Sequence, residues 1–323
     1  MLKNAFILSV IAWAFAAGNP QHAYASIFQN ISDLNESVNF AQTSPFDGVG
    51  LFTGDDANGD SFIAGSGVFI GNGLDGQNAW ILTAGHVLFA NPNELWQSQQ
   101  FNASADVGAN LTNFLDVEEV FPFPGFTNSE AGGGTGNDIG LVKLSSPINN
   151  IAAATLFSGP DDVLIGAEFI TAGYGNSGIF GALTTGGFGT EVFDFDGVRR
   201  GGRNVIDSAG AFFNPQAFAE EQFFVSNFSP LPSNTFPLQW QGSKNDSGSP
   251  WLVDVNGEYQ IAGIVNGGLT SNTATFGIRT ALYNDFITTT IQANSVPEPG
   301  AMGLLTLGLM GIAMRRRKGE SHA

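Results

Sequence analysis

Three short blocks, spread over half the chain, limit what this sequence can fold into. They read Leu82-Thr83-Ala84-Gly85-His86-Val87, Gly136-Asn137-Asp138-Ile139-Gly140-Leu141-Val142-Lys143-Leu144 and Gly242-Ser243-Lys244-Asn245-Asp246-Ser247-Gly248-Ser249-Pro250-Trp251. Taken singly, each is ordinary turn or core chemistry, since serine beside glycine is common in turns. Together they hold an imidazole, a carboxylate and a hydroxyl. A serine hydroxyl is a poor nucleophile at neutral pH, so acyl transfer needs a neighbouring base, and histidine has the fitting pKa. Of the three histidines, His22 lies in an N-terminal apolar stretch and His322 in a C-terminal tail, which leaves His86 as the sole imidazole of the body of the chain. A histidine-based metal cluster is thereby excluded, and without cysteine a zinc site would rest on carboxylates alone. Neither a metal nor a cofactor is expected.

The order along the chain is His, Asp, Ser. It differs from the Ser, Asp, His order of α/β-hydrolases and the Asp, His, Ser order of subtilisins, and an α/β-hydrolase would also need a Gly-x-Ser-x-Gly elbow. On these blocks, with Gly65-Ser66-Gly67-Val68-Phe69-Ile70 and Phe169-Ile170-Thr171-Ala172-Gly173-Tyr174-Gly175, the chain resembles the trypsin-like (chymotrypsin-fold) serine proteases from Phe46 to Ile291. The resemblance implies an all-β fold of two antiparallel six-stranded β-barrels with a short C-terminal helix, in a domain over 47–292. Barrel one would span about 47–150 and barrel two about 160–280. It further implies that His86, Asp138 and Ser247 form a triad that hydrolyses peptide bonds, with an oxyanion hole from the backbone N–H groups of Asn245 and Ser247. Gln241, Asn266 and Gly268 fall where relatives line the substrate pocket, and an uncharged Gln241 does not support a trypsin-like taste for Arg or Lys.

Three departures from the pattern matter. Asn245 stands where relatives have glycine, although asparagine is the non-glycine residue that best tolerates unusual φ. Ser249 replaces a second glycine, which is similar to the glutamyl-endopeptidase branch, but no spare histidine exists to read an acidic side chain. Asp246 occupies the position that in relatives pairs with a newly cut amino terminus, yet no basic-Ile-Val-Gly-Gly junction precedes it, so the chain is either activated differently or made active. A catalytically silent homologue acting as a surface or matrix binding module is the alternative reading.

Composition agrees with short strands and tight turns: 43 glycines and 29 phenylalanines stand among few long helix-forming runs. Between Ser26 and Ser295 there are 27 acidic against 6 basic residues, a net of −21. Such a field repels phosphate backbones and excludes nucleic acid as a partner, while attracting cationic peptides over distance. No disulfide can staple the fold, because there is no cysteine. The Arg199-Arg200-Gly201-Gly202-Arg203 cluster is expected to pair locally with Asp194, Asp196 and Asp207. The segment Asp55-Asp56-Ala57-Asn58-Gly59-Asp60 begins like a calcium loop but lacks its sixth-position glycine and twelfth-position glutamate, so a hairpin turn is the expectation. Glu130-Ala131-Gly132-Gly133-Gly134-Thr135-Gly136 fails as a phosphate loop, since no Lys-Ser or Lys-Thr follows.

The two ends carry sorting information. Residues 1–25 read as a secretory signal peptide: Lys3 opens it, Ala5 to Ala17 is apolar, and Ala23-Tyr24-Ala25 is a small-x-small cleavage site. Residues 26–46, polar and mixed, would be a lead-in strand or a pro-segment. Residues 296–323 begin Val296-Pro297-Glu298-Pro299, continue through an apolar stretch over 300–314 and reach Arg315-Arg316-Arg317-Lys318. That apolar stretch is shorter than the about 20 residues of a comfortable membrane span. The tail resembles a PEP-CTERM sorting signal, which implies processing by an exosortase-type enzyme, transient membrane association, and a secreted or surface and matrix location in a Gram-negative bacterium. A simple membrane anchor is the alternative.

Overall fold

The computed structural model describes residues 26–91, 94–110, 112–126, 137–184, 187–193, 195–210, 222–228, 236–269 and 274–295. The predicted signal peptide, the glycine run before Asn137, Asp194 and the tail from 296 lie outside them. Among the described residues no helix is long and apolar enough to cross a membrane.

Strand β1 (Ser26–Gln29) and helix α1 (Leu34–Ala41) lead in. The helix starts at Asp33, whose carboxylate accepts the N–H of Asn35 at 3.0 Å, and Glu36 adds an acid to the first turn. Then come β2 (Val49–Asp55), β3 (Ser61–Asn72), β4 (Ala79–Thr83), a small hairpin of β5 (Phe89–Asn91) and β6 (Glu94–Leu95), and β7 (Gln97–Asn102), β8 (Leu115–Pro122) and β9 (Gly140–Leu144). Six of these close into a barrel in the order β2-β3-β4-β9-β8-β7. Leu51, Phe52, Val68, Phe69, Ile81 and Leu141 of its strands are buried, all at most 2% exposed. The Asp55–Asp60 stretch is the hairpin between β2 and β3, where the Asp56 carboxylate accepts the N–H groups of Asn58 and Asp60 at 2.9 and 3.0 Å.

The remainder holds β10 (Thr155–Leu156), β11 (Glu168–Gly173), β12 (Ser177–Thr184), β13 (Gly187–Phe193), β14 (Arg200–Val205), β15 (Ser208–Ala209), β16 (Phe223–Asn227), β17 (Gln239–Gln241), β18 (Pro250–Val255), β19 (Glu258–Leu269) and β20 (Ala274–Arg279), then helix α2 (Asn284–Asn294). The expected second six-stranded barrel takes another form in the strand ladders. One sheet runs β13-β12-β1-β17-β14-β11-β18-β19-β20-β16-β15, with β10 added beside β19. It curls so that the stretch from β14 into β15 meets both ends of its central run: β14 pairs with β11, and β15, just downstream, pairs with β16. The Asn204 carboxamide of β14 also donates to the Asn227 carbonyl of β16 at 3.1 Å. Inside, Phe169 and Trp251 stack with ring centroids 4.1 Å apart. Before β11 the chain makes a 3-10 turn (Asp161–Leu164) and passes Gly166 at φ +87°, a left-handed bend.

The lead-in is built into this sheet. Strand β1 lies between β12, to which it is parallel, and β17, to which it is antiparallel, and Phe28 is wholly buried. Arg199 joins the two halves. Its guanidinium, 2% exposed, donates to the carbonyls of Ala41 at 2.9 and 3.1 Å, Val49 at 2.8 Å and Ala103 at 3.3 Å. Tyr174 reaches the same seam, its hydroxyl donating to the Ser104 carbonyl at 2.6 Å. Burial pushes its pKa up to about 12 although Arg199 works the other way. The arginine cluster therefore divides its work differently from the sequence expectation: Arg200 pairs with Asp196, Arg203 with Glu168, and Arg199 with backbone alone, while Asp207 accepts the N–H of Asn227. Replacing Arg199 with Met keeps volume but removes the guanidinium donors of the Ala41, Val49 and Ala103 carbonyls, so Arg199→Met should lower unfolding stability by about 3 kcal/mol. Urea denaturation of wild type and variant checks this, and equal midpoints would show that the seam does not depend on the guanidinium.

Candidate active site

The first barrel supplies His86 and Asp138 from the ends of two neighbouring strands. Leu82 and Thr83 of β4 pair with Leu141 and Gly140 of β9, so the residues just after β4 and just before β9 lie side by side. His86 follows β4 in a 3-10 turn (Gly85–Leu88), and Asp138 precedes β9 with its side chain fully buried. One carboxylate oxygen, Oδ1, accepts the His86 backbone N–H at 2.7 Å, and the other, Oδ2, lies 2.6 Å from His86 Nδ1. A buried carboxylate is costly unless donors surround it. A third donor comes from the other half: the Asn266 carboxamide Nδ2 also donates to Asp138 Oδ2. Asn137, at φ +72°, is clamped in turn by Gln222, which accepts its N–H at 3.1 Å, and by the Tyr283 hydroxyl, which donates to its Oδ1 at 3.2 Å.

Ser247 lies in the loop between β17 and β18, and that loop is held from both sides. Ser66 of β3 donates its N–H to the Ser247 carbonyl at 2.8 Å and its hydroxyl to the Asn245 carbonyl at 3.1 Å, while accepting the Tyr174 N–H at 3.1 Å. Ser66 thus aligns the nucleophile loop with the first barrel. Nothing in its residue type announces this, and the usable signal was its flanking glycines, which mark a close approach of backbone. Gly248, at φ +89°, admits no side chain, because a Cβ there would meet the Ser66 carbonyl oxygen at 1.9 Å. Gly175 is equally constrained: a Cβ would lie 2.4 Å from the Asp246 carboxylate, whose Oδ1 accepts the Gly175 N–H at 2.9 Å. Asp246 Oδ2 accepts the N–H and hydroxyl of Ser243 at 2.9 and 3.1 Å.

Within this loop the N–H groups of Asp246, Gly248 and Ser249 are taken by the carbonyls of Ser243, Val265 and Asp246. Among the described residues, those of Asn245 and Ser247 meet no acceptor. Asn245 adopts φ +73°, the left-handed conformation that glycine holds more cheaply. The Ser247 hydroxyl is 3.4 Å from the Asn266 carbonyl oxygen.

The residues expected to line a pocket therefore divide. Asn266 touches Asp138 through its side chain and Ser247 through its carbonyl, an arrangement that its sequence position did not reveal. Gln241 closes β17, buried to 4% exposure and paired in register with Ile27 of β1, and Gly268 of β19 pairs with Thr275 of β20. Among the described residues no group of three or more His, Cys, Asp or Glu side chains is disposed to hold a metal ion. For His86, burial works to lower the pKa, but the Asp138 charge and its hydrogen bond outweigh it and raise the pKa above the ordinary 6.5.

Residues 57–189, which include His86 and Asp138 and stop short of Ser247, match the family model described as Trypsin, and residues 295–318 match the PEP-CTERM protein-sorting motif. Over residues 57–189 the chain is thus similar to the trypsin-like serine proteases. It is similar to kallikrein-11 of Homo sapiens, 33% identical over 99 residues, which are 30% of this chain and 34% of that relative. The chain thus spans about a third of the length of the relative it matches.

The raised His86 pKa has a sign that can be followed. A folded-state pKa above the unfolded value means that the His86–Asp138 pair stabilises the fold below about pH 6.5, and that this contribution fades as pH rises through the folded-state pKa. In Asp138→Asn the imidazole loses its counter-charge and should titrate at lower pH than in wild type. NMR titration of the imidazole signal that disappears in His86→Ala reads this directly, and an unchanged midpoint would show that the carboxylate does not set it.

Proposed function

We propose that the protein is an exported serine endopeptidase that hydrolyses protein or peptide substrates through an acyl-enzyme. Ser247 Oγ attacks the scissile carbonyl, His86 takes its proton and later gives it to the leaving amine, and Asp138 holds the imidazole in one tautomer and steadies the imidazolium. The N–H groups of Asn245 and Ser247 receive the developing oxyanion. The observation that carries this reading is the chain of contacts about Asp138. Its buried carboxylate meets His86 Nδ1 at 2.6 Å and the Asn266 side chain, and the Asn266 carbonyl lies 3.4 Å from the Ser247 hydroxyl. The two unpartnered N–H groups of the nucleophile loop support the oxyanion hole, and a left-handed Asn245 is compatible with it.

The Asp246 carboxylate already has three donors, from Gly175 and Ser243. They supply what a newly cut amino terminus supplies in zymogens, so the protein is active as folded. The curled second sheet corresponds to the second barrel, and substrate lies between it and the first, against Gln241, Asn266 and Gly268. The PEP-CTERM motif supports export to the cell envelope or extracellular space of a Gram-negative bacterium, with a signal peptide at 1–25 and processing by an exosortase-type enzyme. The tail associates transiently with the membrane on the way.

Ser247→Ala should abolish both peptide hydrolysis and labelling by a fluorophosphonate probe, and normal labelling of this variant would remove Ser247 from the mechanism. A folded wild-type protein that ignores both probe and peptides would instead be a silent surface or matrix binding module. At the oxyanion hole, Asn245→Gly should keep kcat within a few-fold, whereas Asn245→Val, whose branched side chain resists positive φ, should lose about a hundredfold in kcat. Steady-state kinetics on one fluorogenic peptide separates the two, and equal kcat values would dissociate the Asn245 N–H from catalysis.

A further inference from the structure

Six basic residues lie between Ser26 and Ser295, and five of them are committed to partners. Lys143 meets Glu118 at 2.9 Å, Arg200 pairs with Asp196, Arg203 with Glu168 at 3.1 Å, and Arg279 with Asp161. Arg199 spends its donors on the carbonyls of Ala41, Val49 and Ala103. Lys244 is the exception. It is exposed, and among the described residues its ammonium has neither an ion pair nor a hydrogen bond. Its backbone, by contrast, is pinned: the Lys244 carbonyl accepts the Asn176 N–H at 3.2 Å. Among the described residues one cation is thus uncommitted, carried on a pinned backbone directly before Asn245 and three positions before Ser247.

We propose that Lys244 is a specificity determinant that selects a substrate carboxylate within about two residues of the scissile bond, so that the preferred substrate is an acidic peptide. The proposal rests on the reading of Ser247 and the Asn245 N–H given above. If the oxyanion sits about 3 Å from that N–H, the substrate backbone runs past Lys244, and its side chains follow at about 3.5 Å per residue. A lysine stem spans that distance. The acidic field of the domain acts in the opposite sense, but exposed charges are screened beyond about 8 Å at physiological ionic strength, so the contact charge decides discrimination at the cut and the field decides only approach. Arg199 and Arg279 cannot substitute, being buried or held against a carboxylate.

The test uses the purified protein and a set of internally quenched peptides of one sequence, in which single positions on either side of the cleaved bond carry Glu, Gln or Lys. At about 0.15 M ionic strength, wild type should cleave the Glu peptide about tenfold better in kcat/KM than the Lys peptide at one position, attraction in one case adding to repulsion in the other. Lys244→Gln should bring that ratio close to one, and Lys244→Glu should invert it. Cleavage by wild type with no acidic preference at any position, or a preference that survives in Lys244→Glu, would overturn the proposal while leaving the protease reading intact. Labelling by the fluorophosphonate probe, which presents no peptide side chain, separates the two: a wild type that neither labels nor cleaves overturns both.

Discussion

A fully buried carboxylate organises this molecule. Asp138 cannot leave water without donors, and the three it takes come from both halves of the chain: the backbone and ring of His86 from the first barrel, and the carboxamide of Asn266 from the second sheet. Isolated, such a charge would revert to the neutral acid or unfold its surroundings. The need to satisfy it therefore acts as a docking condition between the halves, and the same condition delivers the Asn266 carbonyl to the Ser247 hydroxyl. Structural necessity and candidate chemistry use the same atoms.

Much of this was legible in the sequence, for reasons that differ by element. The strands of the closed barrel could be read because short runs of apolar residues and glycine lie between tight turns, as in Val49–Asp55 and Ser61–Asn72. The hairpin at Asp56 followed from residues whose side chains bond their own backbone. His86 stood out by elimination, being the lone imidazole of the body of the chain. Contacts between residues distant in sequence were not legible. Ser66 and Asn266 act through backbone and carboxamide groups that any surface strand also carries, and only the fold reveals that they converge on Ser247 and Asp138. Arg199 was misread for a related reason. Neighbouring aspartates suggested local ion pairs, whereas its burial between α1, β2 and the end of β7 makes carbonyl oxygens the available acceptors.

The outer extension of the second sheet also has a physical cause. Strand β1 is inserted between β12 and β17, and β17 pairs with β14 through a single position, Gln239 opposite Arg203. Strands β12 and β13 then extend the edge as a further hairpin. This outer extension belongs to the long stretch between Asn176 and Gln239, whose irregular pattern gave no period from which to place it.

The absence of cysteine makes the origin of rigidity in the nucleophile loop a substantive question. No covalent link fixes Gly242–Ser249, yet the loop must hold two N–H groups free of internal acceptors while their neighbours are satisfied. The geometry answers with crossings from separate elements: Ser66 from β3 at the carbonyls of Asn245 and Ser247, Gly175 and Ser243 at the Asp246 carboxylate, Val265 at the Gly248 N–H, and Thr275 at the Gly242 N–H. Each such bond contributes only about 1 kcal/mol net. Their effect is nevertheless large, because turning the Ser247–Gly248 peptide breaks bonds to β3 and β19 at once. Strand β1 enters the same system, since Ile27 is in register with Gln241, the residue at which β17 hands over to the loop. The start of the described chain is thereby continuous, through one ladder, with the segment that carries Ser247, and the loop is held without a disulfide.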